Sequence, residues 1–312
     1  MPPELSGGIL LKVSFQHQPK FCRTWAASER KSSGVDFRRQ IKRWIYLRRS
    51  AAASKPRTNF MTARNFDINR DGCSVRCRSY LNDPKAVRRV VIYGHGFGGH
   101  KETTAAERFA ELALSKHKDM AVVVFDWPCH GEDARKNLQL EECGTYLRLV
   151  LTWVQEKYQP EDICGYATSF GGYIFLKYAL EHGNPFAKLI LRCPAVRMYD
   201  VLNDHVLSEE DKNKLDHGKP VLAGFDRLVR ISGDFLKSLR ENDISERDFS
   251  GMAESILILH GTKDEIVPEG SVRAFAERNG IEYIPVEKAD HRFMDPKLMD
   301  LAIEYIQMFL EL

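Results

Sequence analysis

The sequence predicts an α/β fold: a mostly parallel sheet with helices on both faces and a small cap inserted near its carboxyl edge. Three observations predict it. Short β-branched runs ("RRVVIYGHG", "DMAVVVFDW", "EDICGYAT", "AKLILRCPA", "ESILILHGT", "IEYIPVEKA") alternate with helix-like stretches, the pattern of parallel strands covered on both sides. Continuous apolar runs, rather than alternating ones, mark those strands as buried. One interval, between Cys193 and Glu254, runs to about sixty residues, too long for a plain connection inside a compact domain.

Taken in order, the chain begins with a basic arm. Residues 1–60 hold 13 Lys and Arg against three acids, while 61–312 hold 33 basic and 40 acidic residues. The arm fits a transit peptide, a segment contacting nucleic acid or anionic lipid, or a disordered extension. The last is the expectation, because no apolar periodicity in it runs past a few residues. The acidic body argues against nucleic acid as a partner of the folded domain, 61–312. No apolar run approaches the roughly 18 residues of a membrane helix. Seven cysteines, an odd number with no CxxC pair, fit thiols in a reducing compartment, so a cytoplasmic location is expected. Cys73 and Cys77 lack two further ligands for zinc and read as packing residues.

"NFDINRDGCSVRCRSYLND" predicts a β-hairpin turning at Asp71-Gly72. The six strands follow. The long interval, taken as a cap over about 195–250, carries Met198, Tyr199, Leu222, Phe225, Phe235 and Leu239, residues suited to a ligand at the sheet's carboxyl edge.

Chemistry-bearing residues gather in the turns after these strands. "GYATSFGGY" sets Ser169 between a strand and a helix. That is the layout of a nucleophile elbow, with Ala167 where glycine is usual two before the serine and Gly171 two after. A serine needs a base and a group to hold the base. His291 in "ADHRF" and Asp264 in "LHGTKDEIVP" supply them, and the chain order serine, acid, histidine is that of one hydrolase architecture. "YGHGFGGH" offers a glycine-rich turn in which the Phe97 N–H can pair with that of Phe170 as an oxyanion hole, Gly96 and Gly98 allowing close approach. Alone, each feature has a structural reading: an ordinary turn, a surface histidine, a helix cap, a phosphate loop. The four together, in that order at strand ends, favour catalysis. The loop after "AVVVF" is a weaker case. Asp126, Asp133 and His130 could line the site, but Asp133 as the cap of the next helix is the expectation. His95 and His260 are expected to shape their turns.

On "GHGFGG", "FDWPCHGED", "ATSFGG", "LHGTKDEIVP" and "ADHRF", residues 62–312 resemble the α/β-hydrolase superfamily. Within it they resemble most the small bacterial cinnamoyl (feruloyl) esterases and their serine-aminopeptidase-like relatives, and "LAGFDRLVRISGDFLKSLRENDISERDF" is similar to the end of the esterase insertion. The resemblance implies an α/β-hydrolase fold and a carboxyl-ester hydrolase acting on a small ester through an acyl-enzyme. Ser169 would be the nucleophile, His291 the base and Asp264 its orienter, with Gly96, Thr168, His130, Tyr199 and Phe225 near substrate, and no metal or cofactor. The elbow departs from these relatives at Thr168, where histidine is usual, which leaves the aromatic-ester preference open. A peptidase or amidase using the same triad, and a ligand-binding protein that has lost catalysis, are the alternatives.

Overall fold

Thr62–Arg70 (β1) and Cys73–Leu81 (β2) form the expected antiparallel hairpin, in register from Thr62–Leu81 to Arg70–Cys73. Its two turn residues, Asp71 and Gly72, both have positive φ, 54° and 72°, as a two-residue turn matching the strand twist requires. The computed structural model describes residues 61–133, 136–224 and 227–311. The basic arm and Phe225 therefore lie outside the described residues.

The chain then alternates. Arg89–Gly94 (β3) leads to Thr104–Lys116 (α1), Met120–Phe125 (β4), Leu140–Tyr158 (α2), Asp162–Thr168 (β5), Phe170–His182 (α3) and Leu189–Arg192 (β6). After the insertion come Ile256–Gly261 (β7), Glu269–Asn279 (α4), Glu282–Val286 (β8) and Pro296–Glu311 (α5). These eight strands make one sheet in the order β1-β2-β4-β3-β5-β6-β7-β8, with β2 alone running against the other seven. All six strand expectations hold, because every residue of β4 and β7 and all but the first of β3 is buried. A strand covered on both faces has no reason to alternate.

The connections reverse direction at β3: β4 lies on one side of it and β5 on the other. Right-handed crossovers then send α1 to one face and α2 and α3 to the other. In agreement, α1 packs on α5 while α2 packs on α3. α3 is buried over Phe170–Leu176 without a break, so it reads as an apolar run rather than a striped helix. The loops at the carboxyl ends of β3 and β5 diverge at the reversal, opening the crevice where ligands bind in such sheets.

The long interval holds helices Met198–His205, Glu209–Asp216 and Gly233–Glu241, the paired short strands Val221–Ala223 and Val229–Ile231, and a 3-10 turn at Ser250–Ser255. Ser208 and Asp211 close a capping box on the second helix, fixing its start. Phe235 and Leu239 join the main hydrophobic core, whereas Leu222 faces solvent with 59% exposure. Only part of the insertion's apolar content is therefore directed at the cavity. Cys77 is fully buried, as expected of a packing residue. Among the described residues no helix is long and apolar enough to cross a membrane.

Candidate active site

β5 ends at Thr168 and α3 begins at Phe170, leaving Ser169 alone on the turn with φ 49° and ψ −116°. That backbone is strained for a residue with a Cβ, and it lasts because its surroundings hold it. The Ser169 N–H donates to Arg192 O at 3.1 Å, and its carbonyl accepts from Tyr173 at 3.1 Å and Ala195 at 3.2 Å. Gly171 completes the fit: a Cβ there would meet Gly94 O at 2.5 Å and His95 O at 2.7 Å. Ala167, in the place where the motif usually has glycine, is buried in the core.

Opposite this turn, residues 95–101 loop off β3. A bond from the Gly99 N–H to Gly96 O (3.0 Å) closes the turn. The buried His95 ring lies 2.8 Å through Nδ1 from Gly96 O, and its Nε2 faces the Trp127 N–H at 3.5 Å. The carbonyl and the N–H fix the tautomer: Nδ1 carries the proton and donates, Nε2 accepts. Burial, reinforced by the nearby His130, pushes the His95 pKa well down, so the ring stays neutral. Asp126 pins the loop from behind, accepting from the Lys101 N–H at 2.6 Å and the Glu132 N–H at 2.9 Å. Burial raises its pKa against the pull of those two bonds.

Neither the Phe97 N–H nor the Phe170 N–H donates a hydrogen bond to any described residue. Two unengaged backbone donors beside a serine are what a developing oxyanion requires. The Phe97 and Phe170 rings meet edge to face, 5.8 Å apart.

His291 follows β8 and Asp264 follows β7. His291 Nδ1 lies 2.7 Å from Asp264 Oδ2, while Asp264 Oδ1 accepts from the Ile266 and Val267 N–H groups at 2.9 and 2.8 Å. Burial pushes the Asp264 pKa up, but bonds from His260 and His291 outweigh it and hold the carboxyl well below the usual range. It is a fixed anion behind the imidazole. His260, expected to shape its turn, also reaches this carboxylate, with Nε2 3.3 Å from Oδ2 and 3.0 Å from Val267 O. Facing two acceptors, Nε2 must carry the proton.

Cys193, His260 and Asp264 bring three potential metal-ligand atoms within 4.8 Å of one another. Burial and the Asp264 charge push the Cys193 pKa well up, which keeps it a thiol, and a metal binds the thiolate. With Asp264 already holding His291, the cluster reads as the buried support of the acid.

Gly96, Phe97, Thr168, Ser169 and His291 line one cavity of about 570 Å³, walled by Met198, Leu202, Phe293 and Met299 and by Arg192. No hydrogen bond joins Ser169 Oγ to His291 in this conformation, a spacing common in ligand-free sites. Asp264 is absent from the lining because it stands behind the imidazole. His130 is not brought to the cavity. Its ring is buried behind the 95–101 loop, 5.4 Å from that of Phe97 and stacked 6.0 Å from that of Phe170, and burial lowers its pKa to about 4. Tyr199 also turns away, its hydroxyl bonded to Arg240 at 2.8 Å. Asp133 does not cap the next helix, whose N-cap is Gln139. It accepts from the Cys129 N–H at 2.9 Å and the Tyr146 hydroxyl at 2.6 Å, closing its own turn. Sequence reasoning missed Arg192, Phe293 and Met299. "LILRCPA" held a signal for the first, an arginine closing a strand with no polar neighbour.

A protein-family model described as serine aminopeptidase, S33, matches residues 85–208, the span from β3 through the elbow into the insertion. That match covers about two fifths of the chain, and the sheet order decides the fold. The chain has the α/β-hydrolase fold. Solved α/β-hydrolase structures superpose on most of it. A ferulic acid complex of Est1E from Butyrivibrio proteoclasticus has 20% identity and a TM-score of 0.64, over 79% of this chain and 98% of that one. A soluble variant of monoglyceride lipase from Saccharomyces cerevisiae with a substrate analogue has 15% identity and a TM-score of 0.62, over 83% and 96%. Mouse alpha/beta hydrolase domain-containing protein 10 has 16% identity and a TM-score of 0.60, over 80% and 98%. At such identities the likeness concerns the α/β-hydrolase fold. No curated protein matches the chain.

Proposed function

We propose that the protein is a serine hydrolase that cleaves small carboxylic esters through an acyl-enzyme. One observation carries the reading: Ser169 on its strained turn, Phe97 with its unengaged N–H, and a histidine backed by a buried aspartate all border one cavity, and the unengaged N–H of Phe170 follows the serine directly in the chain. Ser169 Oγ attacks the ester carbonyl while His291 Nε2 takes its proton, and the carbonyl oxygen becomes an anion between the two N–H groups. His291 returns the proton to the leaving alcohol, then activates the water that frees the acyl group. Asp264, held anionic, keeps the imidazole in the Nδ1–H tautomer and stabilises its charged form. Thr168 borders the reacting centre and shapes what fits beside it.

Amide or peptide cleavage is the second reading, favoured by the description of the matching family. The charge around the cavity speaks for the ester. A free α-amino group needs an anionic partner, yet Asp300, a lining carboxylate, is held by Arg108 at 2.9 Å, and the buried cation Arg192 would repel it.

Ser169→Ala is the test. It should fold as the parent does and lose activity on 4-nitrophenyl esters by about 10⁶, the scale for a triad acting as a unit. Turnover at the parental rate would refute the assignment, and faster cleavage of aminoacyl amides than of esters by the parent would favour the second reading.

A further inference from the structure

Arg192 ends β6, beside Thr168 in the register of the sheet, with 6% of its surface exposed, and it lines the cavity that holds Ser169. It forms no ion pair within 4 Å with any described residue. Of its side-chain donors only Nη1 has a partner, Met299 Sδ at 3.2 Å, and Nε is buried with none. The face of Phe293 lies 5.1 Å from the guanidinium carbon. Thioether sulfur is a weak acceptor and a ring face a weak counter-charge. A buried arginine normally sits against a carboxylate, because an uncompensated charge in a low-dielectric site is expensive.

Arg108 makes the contrast within the same cavity, since Asp300 grips it through both carboxylate oxygens at 2.9 Å. The acid whose charge acts on Arg192 is Asp290, in the loop after β8, and its Oδ1 accepts from the Arg292 and Met294 N–H groups. Beneath Arg192, the buried Tyr166 hydroxyl also lacks a partner. The site of bond cleavage thus adjoins a buried cation that no carboxylate among the described residues approaches within 4 Å.

We propose that Arg192 is an anion subsite of this cavity, so that the substrate is an ester carrying a carboxylate, held by the guanidinium while Ser169 attacks the ester carbonyl. The planar fork of donors matches a carboxylate geometrically. The apolar wall of Met299 and Phe293 strengthens that pairing by excluding water. The inference rests on the ester reading and narrows it, from small esters in general to esters with an anionic group in the acyl or the alcohol half.

Two substrate pairs locate the carboxylate. One is mono-4-nitrophenyl adipate against its methyl ester, with the charge in the acyl half. The other is 4-(carboxymethyl)phenyl hexanoate against its methyl ester, with the charge in the alcohol half. The parent should prefer the anion in one pair by about ten- to a hundredfold in kcat/KM, the scale of one charge-assisted bond. Arg192→Met should bring that ratio to about one, and Arg192→Lys should keep part of it. Equal rates within both pairs for the parent, or a preference that survives Arg192→Met, would overturn the proposal.

A readout free of catalysis separates this from the ester assignment. Adipate should raise the Tm of Ser169→Ala and leave that of the Ser169→Ala, Arg192→Met double variant unmoved. A shift without turnover of any ester would uphold the anion subsite and reject the ester reading. No shift in Ser169→Ala, or an equal shift in both proteins, would reject the subsite.

Discussion

The β1–β2 hairpin and the carboxyl ends of β3, β5 and β6 share one sheet, yet they are held in opposite ways. The hairpin rests on many interchangeable contacts: the Phe66 ring stacked 4.3 Å from Trp153, Arg70 on Glu156 at 2.9–3.0 Å, Arg76 on Asp67, and Arg148 on Asp71 at 2.9 Å. Its ion pairs are exposed, so each adds little. The strand ends rest on single, irreplaceable fits: Ser169 and Cys193 with φ of 49° and 47°, Gly171 against two carbonyls, and a buried arginine without an acid. Stability spread over equivalents tolerates loss, whereas a site that must present unengaged donors and a strained serine has no spare contacts to lose.

The contrast can be broken most severely at Gly171. Gly171→Ala puts a methyl 2.5 Å from Gly94 O, and only a backbone shift can relieve it. The shifted strand end feeds the loop that carries the Phe97 N–H. A loss of about 1–3 kcal/mol in urea unfolding is expected, together with a fall in ester turnover larger than the stability loss explains. A variant with full activity would show that the strand ends have slack.

Acid offers a second, smaller test. His95 and His130 have lowered pKa values in the fold, His130 down to about 4, against about 6.5 unfolded. Below 6.5 the unfolded chain binds protons that the folded one refuses, so stability is whole above that pH and drains as pH falls toward 4. Unfolding midpoints should decline across this window, and His130→Phe should flatten part of the decline. The hairpin carries no histidine, so Arg70→Ala should leave the shape of the profile unchanged. That substitution is the smallest expected effect, a thermal unfolding midpoint barely distinguishable from the parent's. A larger loss would mean that the hairpin, too, depends on single contacts.

How much of the site could be read in advance follows from how local each signal is. Gly96, Phe97, Thr168, Ser169, Asp264 and His291 sit in strand-end turns whose residue types and order carry the pattern, and the fold brings them to one cavity or directly behind it. His130 and Tyr199 occupied equally plausible positions but turned away, because ring stacking behind the 95–101 loop and a bond to Arg240 claimed them. Asp133 followed a helix-cap pattern, yet Cys129 and Tyr146 took its carboxylate. Competition among partners distant in the chain is invisible to local pattern.

The sequence by itself determined the six buried strands, the Asp71-Gly72 turn and the serine, acid, histidine order, because strand burial and turn chemistry are written in neighbouring residues. Only the tertiary structure decided that His260 shares Asp264 with His291, that the Phe97 and Phe170 N–H groups remain unengaged among the described residues, and that no described carboxylate comes within 4 Å of Arg192. Each of those depends on what every other segment leaves unpaired, and a hydrogen bond or a counter-ion is settled by distance in space rather than by spacing along the chain.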